Sequence, residues 1–329
     1  MTQEEFAKRS EPKASGEEAW IGKLRIQNVL CPVDFSDFSR RAFRYALALA
    51  RRFQARLILQ HTLQLPTALF LEGTDPMAGS PSVQKARQEA KKNLQDLLKE
   101  GPADPGEISL LLNDGDIRQR ILETIAERKI DLVVIGTHGR KGFNRLMLGS
   151  VAEHIIHEAI CPVLVISRPQ TDFAPSFPDE PIQLKTILLA TDFSPNSGRA
   201  LTYALRWASE WEGKVILFHV IETIPPARNE TLDLLPEYNP NFEKQLAESW
   251  TRIQQLVPQG IQRRCEVICE VRQGKAKEEI LKVAEEKHAD LIIMGARGMG
   301  RSAIVWGSTI SGVVRDGRFP VLAVRHLVD

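Results

Sequence analysis

Residues 131–139 of the chain read DLVVIGTHG, and GSVAEHI follows at residues 149–155. The apolar, β-branched beginning of the first segment predicts a buried strand, and the second segment begins like a helix. A strand, a glycine loop and a helix N-terminus together aim backbone N–H groups at an anion. Ser150 can cap the helix and can also offer its hydroxyl to a phosphate. The loop taken alone favours two interpretations equally, a phosphate-binding loop of a nucleotide site and a ligand-free β–α turn.

The same sequence pattern occurs twice in the chain. Residues 29–36, VLCPVDFS, return 158 residues later as ILLATDFS, and Gly149-Ser150 returns as Gly307-Ser308. Residues 168–181 contain four prolines, which is typical of a linker. We therefore predict a tandem duplication with a loose N-terminal tail at 1–22, a first domain at 23–168, a proline-rich linker at 169–181 and a second domain at 182–329.

Segments that resemble strands and helices alternate along each copy. In the first copy the predicted strands are 28–33, 56–61, 107–112, 131–135 and 162–166, and the predicted helices are 39–54, 83–99, 116–129 and 150–160. Continuously apolar strands that alternate with helices predict a parallel sheet covered on both faces. We expect two tandem doubly wound α/β domains of flavodoxin-like or Rossmann-like type. If the loops after the first and fourth strands serve one site, the strand order of each five-stranded parallel sheet is 3-2-1-4-5.

Composition limits the classes of partner that the chain can have. The 329 residues carry a formal net charge of +1, with 43% hydrophobic and 26% charged residues. The sequence has no basic cluster interleaved with aromatic residues, which argues against nucleic acid as a main partner. No apolar run approaches the roughly 20 residues that span a bilayer, and the N-terminus lacks the apolar region of a secretory signal. The spacing of the four cysteines does not resemble that of metal ligands, so we expect buried free thiols in a reducing cytoplasm.

The loop after the first strand of each copy carries an aspartate, Asp34 in the first copy and Asp192 in the second. An aspartate at the end of this strand suits a ribose hydroxyl or a divalent ion bound to phosphate. The alternative role is structural, because Asp34 can cap the following helix together with Ser36 or Ser39. One side chain can perform both roles.

These residues resemble the universal stress protein family in its tandem two-domain form, over nearly the whole chain outside the linker. Nucleotide-binding members carry G-x2-G-x9-G-[ST] after the fourth strand, and Gly136, Gly139, Gly149 and Ser150 match this motif without a gap. The resemblance implies ATP as the ligand, with Mg²⁺, and Asp34 beside the ribose and the metal. It places the backbone of Thr62, just past the second strand, against the adenine. The remaining residues that the resemblance implies for the ribose and phosphates are Val33, Ile135, His138, Val151 and Ala152, besides the motif residues themselves.

The second copy departs from the motif, because only eight residues separate Gly298 from Gly307. A loop shortened by one residue must follow a different path around the phosphates. ATP binding at this copy is one hypothesis, and an empty or remodelled pocket is the other. The positions that match the first site, or could supply charge to the phosphates, are Thr191, Asp192, Val220, Gly295, Arg297, Gly298, Gly307, Ser308 and Thr309.

Other motifs in the sequence do not support a dinucleotide site, a metal site or rapid catalysis. Residues 298–303, GMGRSA, resemble a dinucleotide fingerprint, but the strand that follows does not end in an acidic residue and the segment is not in a first βαβ unit. His154, His157 and Cys161 lie close in sequence, and ordinary packing explains them better than a metal site. The motifs place no general base, so any ATP turnover should be slow.

Three hypotheses for the function follow. The first is an ATP-binding regulatory protein of the cytoplasm, without enzymatic activity or nearly so, in which the nucleotide sets the conformation or the affinity for an unknown protein partner. The two copies would pack through their fifth strands as an intramolecular pseudo-dimer, an arrangement that the family resemblance implies, and two chains are a candidate homodimer. The second hypothesis is an interaction scaffold that binds no nucleotide, with contact surfaces in the long loops at 62–82 and 221–242. The third is a slow ATP hydrolase or autophosphorylating switch.

Overall fold

The structure is a computed structural model, and it describes residues 23–64, 81–101, 106–137, 148–167, 183–222, 242–257, 260–261, 264–296 and 308–325. The described strands of the first half are β1 Asn28–Pro32, β2 Arg56–Leu63, β3 Ile108–Asp114, β4 Leu132–Gly136 and β5 Val163–Ile166. Those of the second half are β6 Thr186–Ala190, β7 Lys214–Glu222, β8 Glu266–Gly274, β9 Leu291–Gly295 and β10 Val321–Val324.

Helices alternate with these strands in both halves. The first half contains α1 Asp37–Phe53, α2 Pro81–Lys99, α3 Ile117–Glu127 and α4 Ser150–Glu158. The second half contains α5 Pro195–Glu210, α6 Phe242–Gln255, α7 Ala276–Glu286 and α8 Ser308–Asp316. The alternation predicted from the sequence is therefore confirmed, and each half is a doubly wound α/β unit. No described helix is long and apolar enough to cross a membrane.

The strands form one ten-stranded sheet in the order β3-β2-β1-β4-β5-β10-β9-β6-β7-β8. Each half has the predicted order 3-2-1-4-5 with parallel neighbours, and β1 lies beside β4 through the pairs Val29–Leu132 and Leu30–Val133. The two halves meet through their fifth strands, β5 and β10, which run antiparallel with Leu164 opposite Leu322. This pairing covers one edge of each half, so that only β3 and β8 remain as outer strands of the described sheet.

The strands are apolar because both faces of the sheet are covered. Val29, Cys31 and Leu57 belong to one buried cluster, whereas Leu30 and Ile58 belong to a cluster on the opposite face. Successive residues of a strand point to opposite faces, so a strand buried on both sides must be apolar at every position. The polar residues of such strands are exceptions that require an explanation.

Two strands are longer than predicted. The sequence pattern ends the second strand at residue 61 and the third at 112, but β2 reaches Leu63 and β3 reaches Asp114, and these two residues are paired. The register continues because neighbouring strands satisfy each other's backbone groups beyond the point where the apolar pattern ends. Thr62 therefore lies inside β2, one residue before its end, and not past the strand as the sequence analysis expected.

Candidate nucleotide site

Asp34 is held in a tight turn at the carboxyl end of β1. Its Oδ1 atom accepts hydrogen bonds from the backbone N–H of Ser36 at 3.1 Å and from the Ser36 hydroxyl at 2.6 Å. Ser36 in turn is the N-cap of α1, where its Oγ accepts from the N–H of Ser39 at 3.3 Å. Phe35 between them has a φ of 67°, a conformation that few residues other than glycine adopt. Asp34 thus supports the cap of α1 through Ser36, which is the structural role that the sequence suggested. The same bonds hold its carboxylate at the edge of the sheet.

A histidine on β2, His61, contacts the same turn through a hydrogen bond and a ring contact. The Nδ1 atom of His61 lies 2.7 Å from the carbonyl oxygen of Val33, and the His61 ring contacts the ring of Phe35 at a centroid distance of 4.6 Å. The N–H of Val33 donates to the carbonyl of Gln60 at 2.8 Å. Because Val33 is bound on both of its backbone groups, the exit of the chain from β1 has one defined direction.

Gly136 brings the loop after β4 against the start of α1. A Cβ atom at Gly136 would lie 2.8 Å from the carbonyl carbon and 2.9 Å from the carbonyl oxygen of Phe38. Such distances are shorter than packed atoms tolerate, so only glycine fits at this position. The close neighbour is the backbone of the protein itself, which explains this glycine without a ligand. The same contact places the end of β4, with Ile135 and Gly136, beside the Asp34 turn.

The N-terminus of α4 leaves backbone N–H groups without an acceptor inside the helix. The first helical hydrogen bond runs from the N–H of Glu153 to the carbonyl of Gly149 at 3.0 Å, and Gly149 as the N-cap makes no side-chain capping bond. The N–H groups of Ser150, Val151 and Ala152 therefore have no acceptor inside the helix and point out of its N-terminal end, where the helix dipole is positive. The N–H of Gly149 itself donates to the carbonyl of Thr137 at 2.7 Å. The Gly149 N–H is therefore used inside the protein, whereas the N–H groups of the next three residues have no acceptor inside the helix.

The end of β2 faces the space beyond β1. In a parallel strand, residues two apart direct both of their backbone groups to the same neighbour. The carbonyl of Gln60 accepts from Val33 of β1, so the N–H and C=O of Thr62 also face the β1 side, and there β1 has already ended at Pro32. The carboxyl ends of β1 and β4, the α4 N-terminus and the Thr62 backbone are thus at one edge of the sheet.

The second half repeats the turn but not every side chain. Asp192 Oδ1 accepts from the N–H of Ser194 at 3.0 Å, and Ser194 caps α5. Thr191 replaces Val33, and its hydroxyl binds the Ser197 hydroxyl at 3.1 Å and accepts from the N–H of Phe193 at 3.1 Å. Gly295 is again required by packing, because a Cβ there would lie 2.8 Å from Cβ of Asn196. The hydroxyl of Thr191 is therefore committed to the turn.

His219 of β7 occupies the position of His61, and its environment favours the neutral form. Its Nδ1 atom lies 2.8 Å from the carbonyl oxygen of Thr191. Burial lowers the pKa of His219, and the nearby Arg252 acts in the same direction, whereas the Thr191 hydrogen bond and Asp192 oppose the shift. The guanidinium of Arg252 lies 4.0 Å from the ring centroid of Phe193. The second half thus has a cation beside the ring of its turn.

Val220 and Thr309 are two further predicted site positions of the second half that the structure describes. Val220 is buried at the position of Thr62 in the first half, and its backbone likewise faces the side on which β6 has ended, since Phe218 accepts from Thr191. Thr309 is the second residue of α8 and is half-buried.

Some of the predicted site residues lie outside the described part of the chain. His138 and Gly139 of the first loop, and Arg297, Gly298 and Gly307 of the second, belong to the ranges 138–147 and 297–307. Ser308 begins α8. Within the described ranges no group of three or more His, Cys, Asp or Glu side chains is placed to hold a metal ion, and Cys31, Cys161, Cys265 and Cys269 are free thiols.

Gln60 is a buried polar residue of β2 beside Thr62 that the sequence motifs did not indicate. Its side chain is 1% exposed, and its Nε2 atom lies 3.4 Å from Oγ1 of Thr62. When the two copies are aligned at their offset of 158 residues, Gln60 is equivalent to Phe218. A glutamine in a buried strand where the other copy carries phenylalanine was the signal that could have revealed it.

Comparison with known proteins places the chain in a family. The profile of the universal stress protein family matches residues 25–167 and again residues 183–325. A universal stress protein of Mycolicibacterium smegmatis is 26% identical over 313 residues, which cover 90% of this chain and 96% of that protein. One from Methanocaldococcus jannaschii is 29% identical over 161 residues, or 46% of this chain and 88% of the relative. The chain belongs to the universal stress protein family and contains two of its domains in tandem.

A solved structure shares the arrangement of both halves. The crystal structure of a universal stress protein from Archaeoglobus fulgidus aligns over 92% of this chain and 98% of its own, with a TM-score of 0.63 and 21% sequence identity. At this identity the similarity supports the fold and carries no information on the ligand.

Proposed function

We propose that the first half binds ATP together with Mg²⁺ and that the protein is a nucleotide-dependent regulator of the cytoplasm with little or no catalytic activity. The observation that carries the proposal is the juxtaposition of three backbone donors at the α4 N-terminus with the Asp34 turn. Gly136 packs against the α1 backbone, and β1 is the neighbour of β4. An anion at α4 would therefore lie near the carboxylate of Asp34, as a triphosphate attached to a ribose requires.

The donors suit phosphate rather than a second protein group. Ser150 is exposed and Val151 is half-buried, so a ligand can approach the first turn of α4 from solvent. Backbone N–H groups at a helix N-terminus bind phosphate without the lysine of other nucleotide folds. The Ser150 hydroxyl adds a further donor at the same end of the helix.

The base and the metal would occupy opposite sides of this arrangement. The N–H and C=O of Thr62 face the space beyond β1, and together they can pair with the donor–acceptor edge of an adenine. A carboxylate oxygen accepts more than one interaction, so Asp34 can contact a ribose hydroxyl or a phosphate-bound Mg²⁺ while it still accepts from Ser36. The metal would neutralise phosphate charge, and Asp34 would orient it. We propose no role in turnover for either group.

We further propose that the second half is the weaker nucleotide site or is empty. The Thr191 hydroxyl is committed to the turn, Val220 and Phe218 replace the polar pair of the first half, and the glycine loop is one residue shorter. The long loops of the scaffold hypothesis lie mostly outside the described residues, and no contact in the described part favours that hypothesis over nucleotide binding. ADP release measured over hours would separate slow hydrolysis from binding alone.

The test of the proposal removes one backbone donor without disturbing the helix. Gly149 has φ −62° and ψ 134°, which the residue before a proline adopts readily, and Ser150 is the first helical position, where proline is tolerated. Ser150→Pro removes the N–H and the hydroxyl, and Ser150→Ala removes the hydroxyl alone. We expect Ser150→Pro to weaken MgATP binding by about tenfold or more and Ser150→Ala by about threefold.

Isothermal titration calorimetry of the purified chain measures both effects, with Asp192→Asn as a control in the second half that should change the affinity little. An absence of MgATP binding by the wild-type protein, or equal affinity in Ser150→Pro and Ser150→Ala, would contradict the proposal.

A further inference from the structure

Gln60 is an unusual residue for its position in the fold. It lies in β2, a strand whose residues Leu57 to Thr62 are all buried, and its own side chain is 1% exposed. Nε2 of Gln60 donates to Oγ1 of Thr62 at 3.4 Å. The Oε1 atom is buried and has no hydrogen-bond partner among the described residues. A buried acceptor without a partner costs stability, because it has lost its water and gained nothing in return.

The amide lies at the level of the proposed base site. Gln60 pairs with Pro32, the last residue of β1, and with Leu111 of β3. Its side chain extends towards the carboxyl end of the strand, since it reaches the hydroxyl of Thr62 two residues further on. At that level β1 has ended and the backbone of Thr62 faces the open side. The Gln60 amide thus contacts the side chain of the residue whose backbone groups we propose for the base.

The fold itself does not require an amide at this position. In the second half, Phe218 occupies the same place in β7, is fully buried, and pairs with Ala190 at the end of β6. Val220 replaces Thr62, so the hydroxyl that holds the Gln60 amide is also absent from the second half. Two copies of one fold therefore differ here in polarity, and the apolar copy satisfies the packing. The polar pair of the first half must be explained by something other than the sheet.

We propose that Gln60 is a specificity-determining residue of the first half, and that its Oε1 accepts a hydrogen bond from the 6-amino group of adenine. This inference rests on the proposed binding of ATP. The 6-amino group carries two hydrogens, so it can donate to the C=O of Thr62 and to Gln60 at the same time. The bond from Nε2 to Thr62 uses the donor end of the amide and leaves Oε1 as the acceptor without a partner among the described residues. A 6-oxo purine presents an acceptor at this position and leaves two oxygens opposed.

The test compares ATP with inosine triphosphate, which has a 6-oxo group in place of the 6-amino group and carries the same ribose and phosphates. We expect the wild-type protein to bind ATP at least tenfold more tightly, because a site built around a hydrogen bond rejects the analogue that lacks it. Gln60→Leu should lower the ATP affinity by about tenfold and change the inosine triphosphate affinity by less than about threefold. The preference for ATP should therefore fall several-fold, while the part that comes from the Thr62 backbone remains.

Gln273→Leu is the matched control. Gln273 of β8 also has a buried amide atom, Nε2, without a partner among the described residues, but it lies in the second half, so its loss should leave the preference for ATP unchanged. Thermal melting checks that each variant folds, and Gln60→Met provides a second variant of similar volume without an amide.

The possible failures are distinct. If the wild-type protein binds neither nucleotide, the proposed function is wrong and this inference with it. If it binds ATP but Gln60→Leu and Gln60→Met keep the wild-type preference, the function stands and the role of Gln60 is overturned. A wild-type preference for inosine triphosphate would also overturn it, since the amide would then present its nitrogen.

Discussion

At the scale of single residues, Asp34 shows how one side chain can serve the fold and a ligand together. Its Oδ1 atom accepts both the N–H and the hydroxyl of Ser36, and Ser36 caps α1. The capping network needs an acceptor at this position, but it does not need a charge. A phosphate-bound metal ion needs the charge. The two roles can therefore be separated by substitutions that change one property at a time.

We expect Asp34→Asn and Ser36→Ala to have opposite effects. Asparagine keeps an oxygen for Ser36 and loses the charge, so the free energy of unfolding should change by less than about 0.5 kcal/mol while MgATP affinity falls about tenfold. Ser36→Ala removes the cap and should cost about 1 kcal/mol of stability, with less than about a threefold change in affinity. Urea unfolding and calorimetric titration measure the two quantities. Equal losses of affinity in both variants would show that the turn, and not the charge, matters for the nucleotide.

At the scale of secondary structure elements, the approach of β4 to α1 decides whether the two loops share one site. Gly136 and Gly295 occupy equivalent positions in the two halves. In each half a Cβ atom would collide with the first turn of the helix that follows the first strand, at Phe38 in α1 and at Asn196 in α5. The repetition shows that these glycines are packing requirements of the fold. Their presence in a sequence motif is therefore no proof of a ligand.

Gly136→Ala and Gly198→Ala should shift stability in opposite directions. The Cβ at Gly136 meets Phe38 backbone atoms, which cannot rotate away, and we expect a loss of about 1–3 kcal/mol. Gly198 lies in the first turns of α5 with nothing within 4 Å of a Cβ atom, so alanine there should stabilise the protein by about 0.5–1 kcal/mol. Chemical denaturation of the two variants checks the prediction. A stable Gly136→Ala protein would mean that α1 and β4 are further apart than described.

At the scale of the whole molecule, an aromatic cluster joins the two halves beside the paired fifth strands. Phe53 at the end of α1 contacts Trp211 at 5.7 Å in an edge-on geometry and Trp207 at 6.5 Å, and Arg52 pairs with Glu210 at 2.7 Å. Phe53 and Trp211 are equivalent positions of the repeat, so they meet near the approximate twofold axis. On the outer strands, Leu110 and Ile268 are also equivalent, and both are exposed. The predicted intramolecular pseudo-dimer is therefore one continuous sheet with a shared aromatic contact.

Phe53 and Trp211 should be energetically coupled. In a double-mutant cycle of Phe53→Leu and Trp211→Leu, we expect a coupling free energy of about 0.5–1.5 kcal/mol, the range for an edge-on aromatic pair. Phe43 lies ten residues earlier on α1, about 15 Å along the helix axis, so a cycle of Phe43→Leu with Trp211→Leu should be additive. Unfolding followed by circular dichroism provides the free energies. Additivity in the first cycle would show that the Phe53–Trp211 contact does not couple the two halves.

Much of the organisation of this protein follows from local sequence. Apolar periodicity and turn residues predict the duplication, the alternation of strands and helices and the parallel sheets. Each copy contains these signals independently of the other. The boundaries of β2 and β3 did not follow, because the last pairs of a sheet depend on the neighbouring strand. The place of Thr62 was misjudged for the same reason.

The sequence by itself determined the two α/β units, the position of their loops and the residue types that those loops offer. Only the tertiary structure decided which donors remain for a ligand, because the partner of the Gly149 N–H, the carbonyl of Thr137, is set by the closure of a loop. It also decided that Tyr45 and Leu49 of α1 are buried. These residues precede Phe53 at intervals of four, on the side of the helix that faces the other half, and a helix cannot encode from its own periodicity a neighbour contributed by a distant part of the chain.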